Sequence, residues 1–468
     1  MDIKLSFLGA ARNVTGSRYM LEIGNVRLLI DCGLYQEREF RGRNWSPFPV
    51  PPQSIDAVLL THSHIDHCGL IPKLVREGFR GKIHCVAASA DIAEIMLLDS
   101  ARIQQEDADF KKRRHEREGR QGPFAEVPLY TVEDAEASLS LLSPVRYQEP
   151  VDLGNGIQAT FHDAGHVFGS SMINITIIQK GDRRNLVFSG DVGRRNMPII
   201  RNPSLFDEAD YVLVESTYGN RLHESPSEIG AALAEVVHST VEAGGNIIVP
   251  TFALERAQEV IYYLNGLLGE GNVPNLRVFL DSPMAVRITE VFKRYPQLYD
   301  KEMRKLLYEG ESPFDYPGLT MVRTADESKA LNHLKETSII MAGSGMCTGG
   351  RVKHHLVSNI SRRDSTVMFV GYQAVGTLGR HIVDGARSVR ILGQEHLVRA
   401  RIAQIQGFSA HADRDELFEW VAALKTSPRH VFVVHGEAQT ALSFRGFIKE
   451  KTGWEVSAPE YGQEVRLE

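Results

Sequence analysis

Short apolar runs divided by polar turns open the chain. Residues 4–8, 19–23, 27–30 and 57–60 each group Leu, Ile, Val, Phe or Tyr, with glycine, asparagine or charge between them. That pattern predicts a strand-rich start. From about residue 90 to 142 the spacing turns largely helical and very charged. Lys111-Lys112-Arg113-Arg114 lies there, but Glu106, Asp107, Asp109, Glu116 and Glu118 flank it, which favours a solvated helix over a localisation signal. Strands return at 157–162, 172–178, 185–188 and 211–214. Strands at 246–249, 276–280 and 338–342 then alternate with helices at 253–268, 283–295 and 351–360. Such alternation predicts a parallel-sheet α/β unit. A strand at 399–406, a helix at 413–424, a strand at 430–434 and a helix from 437 follow.

Composition narrows the class. A chain of 468 residues suggests two or three domains. With 43% apolar and 24% charged residues it can build a large core. Its apolar runs fall short of the roughly 18 residues that span a bilayer, so no membrane partner is expected. The start, Met1-Asp2-Ile3-Lys4-Leu5, reads as a strand and not as a signal peptide. Cys32, Cys68, Cys85 and Cys347 form no Cys-x-x-Cys pair. That points away from disulfides and zinc ribbons and towards a reducing, cytoplasmic compartment. A net charge of −6 argues weakly against a nucleic-acid partner, yet residues 351–401 hold nine Lys or Arg against three Asp or Glu, plus four histidines.

The densest chemistry follows the strand expected at 57–60. His62-Ser63-His64-Ile65-Asp66-His67 packs three histidines and an aspartate together. Imidazole nitrogen and carboxylate oxygen are the donors that zinc takes in hydrolytic sites. Residues two apart on extended backbone share a side, so His62 and His64 aim together. Asp66 and His67 fall where the chain turns, which suggests a second, adjacent metal. Three more positions end strands beside glycine: Asp31 before Cys32-Gly33, His166 after Asp163-Ala164-Gly165, and Asp191 within Ser189-Gly190-Asp191-Val192-Gly193. Asp31 could hold a metal-bound histidine through its second nitrogen. His162 is a strand histidine with no assigned role.

Together these residues resemble the metallo-β-lactamase superfamily, in that family's order: Asp31, His62-x-His64-x-Asp66-His67, His166, Asp191. The resemblance implies an αββα sandwich holding two zinc ions, with His62, His64 and His166 on one, Asp66 and His67 on the other, and Asp191 bridging. Glu215 in Val214-Glu215-Ser216-Thr217, His411 in Ser409-Ala410-His411-Ala412-Asp413 and His435 in Val434-His435-Gly436 are similar to the three extra motifs of the β-CASP subfamily, nucleases of RNA and DNA processing. So are Pro250-Thr251-Phe252-Ala253, Asp281-Ser282-Pro283-Met284-Ala285, Gly343-Ser344-Gly345-Met346 and Gly376-Thr377-Leu378-Gly379-Arg380. One departure is Glu255, where many relatives have glycine before the arginine. The implied organisation is α/β: residues 1–217 and 393–468 form the two parts of the metallo-β-lactamase domain, and 218–392 an inserted β-CASP parallel-sheet domain. RNA-acting members have a histidine at the position of His435, completing the second metal, where the DNA-repair branch typically has valine. In pattern the chain is similar to the RNA-cleaving members, the 3′-end-processing endonuclease of pre-mRNA and its bacterial and archaeal relatives. A homodimer is implied as well.

The expected reaction is hydrolysis of RNA phosphodiester bonds by two zinc ions with a bridging hydroxide nucleophile, in RNA processing or decay. Two metals about 3.5–4 Å apart can acidify a shared water and clamp phosphate oxygens. Asp66, Glu215 and His411 are the expected catalytic residues. A metal-bound histidine has no lone pair to offer, so His411 is expected to supply the leaving oxygen's proton, oriented and charged by Glu215. The glycine-rich run 343–351 joins strand to helix, where backbone amides can cradle a phosphate. It is not a P-loop and fits a dinucleotide fingerprint poorly. Ser344, Gly345, Gly349, Gly350, Arg351, His354, His355 and Arg380 make up the expected RNA-binding set. Three other functions compete: a non-catalytic RNA-binding paralogue, a DNA nuclease and a small-molecule hydrolase of the superfamily. The complete ligand set, His435 and the insertion argue against them in turn. Endonuclease versus 5′-exonuclease action stays open.

Overall fold

Strands with two buried faces organise the first part of the structure. In His430–Val434, Val431 and Val433 pack with Leu417, Trp420, Phe444 and Ile448 of the helices Arg414–Ala422 and Ala438–Thr452. Phe432, between them, points the other way onto Phe7, with ring centroids 5.2 Å apart. Phe7 belongs to the opposing sheet, and Tyr19 and Phe188 meet across the same layer at 6.5 Å. On the far side, Leu29 and Val58 pack with Leu74, Ala93 and Leu97 of the helices Ile71–Arg76 and Ala87–Glu118. The layers therefore run helix, sheet, sheet, helix, which is the expected αββα sandwich. Fully burying each such aliphatic or aromatic side chain stabilises the fold by about 1.5–3 kcal/mol.

The computed structural model describes residues 1–120, 126–223, 228–334, 336–374 and 376–468. Among the described residues the sandwich has two seven-stranded sheets. One runs Glu464–Leu467, Ile3–Gly9, Arg18–Ile23, Val26–Ile30, Ala57–Leu59, Lys82–Val86, Leu142–Val145. The other runs Val456–Ser457, His430–Val434, Tyr211–Glu215, Asp182–Phe188, Ser171–Gln179, Ile157–Asp163, Pro150–Asp152. The stretch read as largely helical up to 142 holds Ala87–Glu118 and Val132–Leu139. The second of these opens on a Thr131–Asp134 capping box.

The remaining chain builds a six-stranded sheet in the order Leu319–Met321, Arg277–Asp281, Ser338–Ala342, Ile247–Pro250, Thr366–Phe369, Arg401–Gln404. Every pairing in it is parallel, as strand–helix alternation predicts. The helices Arg256–Gly269, Pro283–Arg294 and Val352–Asn359 each follow one of these strands. Glu255, at the departure noted above, has φ +65° in a tight turn closed by the Arg256 N–H donating to the Leu254 carbonyl at 2.9 Å. Glycine takes that conformation at no steric cost, which gives a physical reason for it there.

Two units result. The first comprises Met1–Arg195, Asn202–Leu222 and His411–Glu468, and the second Asn196–Arg201 and His223–Ala410. By its contacts the chain rejoins the first unit at His411. Residues 401–404 extend the parallel sheet beside Thr366–Phe369, and Gly407 lies against Ile229, so this stretch stays with the second unit.

Candidate metal centre

The sandwich brings the histidine-rich run and the later strand ends together. Ala57–Leu59 ends just before His62 and His64, and the short helix Ile65–Cys68 carries Asp66 and His67. His166 follows Ile157–Asp163, Asp191 follows Asp182–Phe188, Glu215 ends Tyr211–Glu215 and His435 follows His430–Val434. Asp31 and His435 stand just past their strands with φ of +59° and +48°. A non-glycine residue in that region costs about 1–3 kcal/mol and turns its side chain out of the strand's alternation. The His435 N–H donates to the Ala10 carbonyl at 2.7 Å, which pins the turn.

Two nests of ligand atoms meet at one carboxylate. His64 Nδ1 lies 3.0 Å from His62 Nε2 and 3.3 Å from His166 Nε2. Asp191 Oδ2 is 3.5 Å from His62 Nε2 and 3.4 Å from His166 Nε2. Its other oxygen, Oδ1, is 3.3 Å from His67 Nε2 and 3.6 Å from His435 Nε2. Those two imidazole nitrogens are 3.0 Å apart, and Asp66 Oδ2 lies 3.7 Å from His435 Nε2. A group of four, His62, His64, His166 and Asp191, and a group of three, Asp66, His67 and His435, each bring their ligand atoms close enough to hold a single ion. The donor chemistry agrees. Asp191 Oδ1 is buried and accepts no hydrogen bond from the described residues, and facing imidazole nitrogens have too few protons to satisfy one another. A shared cation removes both problems.

Electrostatics suit the same occupant. Burial drives His62 well below its ordinary pKa and His64 down to about 4, so both offer lone pairs at neutral pH. Burial disfavours a charged Asp191, but His435, His67 and His62 more than offset it and hold the carboxyl well below its usual range. Burial also opposes charge on His67, where Asp191 and Asp31 prevail and raise it. His67 Nδ1 is 2.7 Å from Asp31 Oδ2, and Asp31 Oδ1 accepts the Thr61 N–H at 2.8 Å. Asp31 therefore fixes the ring so that Nε2 faces Asp191.

Beside this centre, both Glu215 oxygens lie 3.1 Å from His411 Nδ1. Glu215 is fully buried and also accepts the Val192 N–H at 2.6 Å. Burial works against the His411 cation, yet the Glu215 carboxylate lifts its pKa to about 9. The His411 and His166 rings are 4.5 Å apart. Thr61 was missed by the sequence reading. Its hydroxyl lies 2.9 Å from Asp31 Oδ2 and 3.1 Å from His62 Nδ1, and its position directly before His62 was the available signal. His162 packs against Phe206 and takes no part.

The expected RNA-binding set belongs to the second unit and divides. His355 is 1% exposed, and its Nε2 lies 2.6 Å from Asp281, so it cannot touch RNA and leaves the set. Val352, His355, Leu356 and Asn359 form the buried face of their helix, while His354 is exposed. Arg351 donates to Asp281 at 2.6 Å but keeps 23% of its side chain exposed. The amides of Ser344 and Gly349 donate to Gly349 and Ser344 oxygens, and Gly345 is buried, so the cradle expected from these three positions is not presented outward. Arg380 is partly exposed and pairs with Asp384.

Comparisons with known proteins converge. Residues 20–209 match the metallo-beta-lactamase superfamily domain, 257–382 the Beta-Casp domain, and 395–459 the Zn-dependent metallo-hydrolase RNA specificity domain. The chain is 39% identical over 459 residues to a protein of Thermus thermophilus named Ribonuclease TTHA0252, covering 98% of each. It is 32% identical to Transcription termination factor FttA of Methanocaldococcus jannaschii, covering 96% of this chain and 69% of that one. A crystal structure from Enterococcus faecalis V583, described as a protein of unknown function, shares the fold with a TM-score of 0.55 at 12% identity, over 100% of both chains.

Proposed function

The chain belongs to the β-CASP family of metallo-β-lactamase-fold hydrolases, and from that premise we propose that it is a zinc-dependent ribonuclease. One observation carries the site assignment: Asp191 turns one oxygen to His62 and His166 and the other to His67 and His435. His62, His64, His166 and Asp191 would hold one zinc ion, and Asp66, His67, His435 and Asp191 a second. Zinc supplies Lewis acidity, which makes water a nucleophile at neutral pH and neutralises charge on phosphate oxygens.

The chain's own residues supply the rest. Asp31 orients His67 and keeps its Nε2 available as a ligand. Glu215 keeps His411 protonated from the Nδ1 side, so Nε2 is the nitrogen that hands a proton to the leaving oxygen. Glu215 thus keeps the proton on His411 at neutral pH, and general acid catalysis of this kind is worth about 10²–10⁴ in rate. Gly350, Arg351, His354 and Arg380 are the surface positions proposed to meet the RNA backbone. The matched RNA specificity domain and the ribonuclease relative support RNA as the substrate. Four buried free cysteines fit a cytoplasmic, reducing setting. No helix among the described residues is long and apolar enough to cross a membrane. The homodimer is a further proposal, tested by light scattering.

The deciding experiment incubates 5′-labelled RNA and matching DNA with zinc-loaded protein. RNA cleavage is expected, and product lengths separate internal cutting from 5′-end trimming. Cleavage of DNA alone overturns the reading.

A further inference from the structure

Two aromatic rings at the carboxyl ends of the parallel sheet keep exposed faces. Phe252 follows Ile247–Pro250 and Tyr372 follows Thr366–Phe369, which are neighbouring strands. Ser338–Ala342, with its glycine-rich turn, is the neighbour on the other side. Phe252 is 40% exposed and Tyr372 44%.

The Phe252 ring is seated on backbone. A β-carbon on Gly345 would stand 2.7 Å from two of its ring carbons, and one on Gly371 would stand 3.6 Å away. Glycine is thus required at 345 by the ring above it. Gln373 is buried, and its Nε2 donates to the Gly345 carbonyl at 3.0 Å and the Gly371 carbonyl at 3.2 Å. One side chain therefore fastens both glycines beneath the ring.

Parallel α/β sheets bind ligands outside the carboxyl ends of their strands. Single-stranded RNA is held by stacking its bases on exposed aromatic faces beside cationic side chains. In sequence, Tyr372 lies within residues 351–401, where Lys and Arg outnumber Asp and Glu nine to three, a balance that suits a phosphate backbone.

We infer that Phe252 and Tyr372 form a stacking platform for the bases of single-stranded RNA. The inference rests on the RNA reading above and adds a base-reading surface to it. Every base has a π-face, so the platform selects single strands over duplexes without selecting sequence.

The test uses the zinc-loaded full chain and a single-stranded RNA carrying 2-aminopurine, followed by stopped-flow fluorescence before turnover. Stacking is expected to quench the probe. Phe252→Ala and Tyr372→Ala should each raise Kd by about 5- to 150-fold. Phe252→Leu keeps an apolar cover over Gly345 but has no π-face, so it should also bind weakly, while Phe252→Tyr and Tyr372→Phe bind like the parent. An abasic site that weakens binding to the parent should no longer weaken binding to the alanine variants. Parent-like binding and quenching by Phe252→Leu and Tyr372→Leu overturn the platform. RNA that is bound and quenched but never cleaved overturns the nuclease reading and upholds the platform. RNA neither bound nor cleaved overturns both.

Discussion

His411 and Asp31 both work through a neighbouring group, and their variants should fail differently. His411→Ala is expected to retain its metal, measured by elemental analysis of the purified protein, while turnover falls by about 10²–10⁴. Loss of metal together with activity would make His411 a ligand instead. Asp31→Ala removes the partner 2.7 Å from His67 Nδ1, so metal affinity should fall about 10–100-fold in a chelator competition. Asp191→Ala should lose metal and activity together, because both nests share that carboxylate. His166, Asp191 and His435 entered the ligand set through the family resemblance, whereas His62, His64, Asp66 and His67 were legible because imidazole and carboxylate in a tight cluster have few other uses. Thr61 was not, since a threonine beside a histidine is chemically ordinary. His354 and His355 looked equivalent as neighbours. Only the helical face formed by Val352, Leu356 and Asn359 turns one inward and leaves the other out.

Among the elements, Arg277–Asp281 has the most at stake in a single residue. Asp281 is fully buried and accepts from Arg351, His355 and Ser328 at 2.6, 2.6 and 2.5 Å. It thereby fixes the start and the buried face of the helix Val352–Asn359 to the end of a neighbouring strand. Burial disfavours the Asp281 anion, but His355, Ser328 and Arg351 outweigh it and lower its pKa from 3.8. A carboxyl depressed on folding contributes stability that is present above its ordinary value and lost as pH falls through the folded one. Asp281→Asn should therefore cost about 1.5–3 kcal/mol at pH 7. The gap to the parent should shrink below about pH 4, as read from hydrogen exchange in the helix Val352–Asn359. A constant gap down to pH 2 would assign the loss to shape and not to charge. The parallel alternation around this strand was legible from strand–helix spacing. Thr366–Phe369 was not, because four residues after Arg362-Arg363-Asp364-Ser365 show no period and are a strand only through their neighbours Ile247–Pro250 and Arg401–Gln404.

For the molecule as a whole, every proposed ligand lies in the first unit and none in the second. A metal that binds only the folded site adds stability by mass action to the unit that holds it. Chelation should therefore abolish cleavage and reduce hydrogen-exchange protection in the two sandwich sheets, leaving the parallel sheet as protected as before. Equal loss in both would contradict that partition. In the sequence, Arg401–Gln404 carries no mark of which sheet it joins, and only its pairing with Thr366–Phe369 shows it. The ligands also have an order in time. A ribosome makes His62 to Asp191 first, then the whole second unit, and only afterwards the strand that delivers His435. A chain that ends before His430–Val434 carries the residues of the first nest but lacks the partner of His67. On the proposed function, the two-ion site is therefore incomplete until synthesis has passed the strand His430–Val434 and the His435 that follows it.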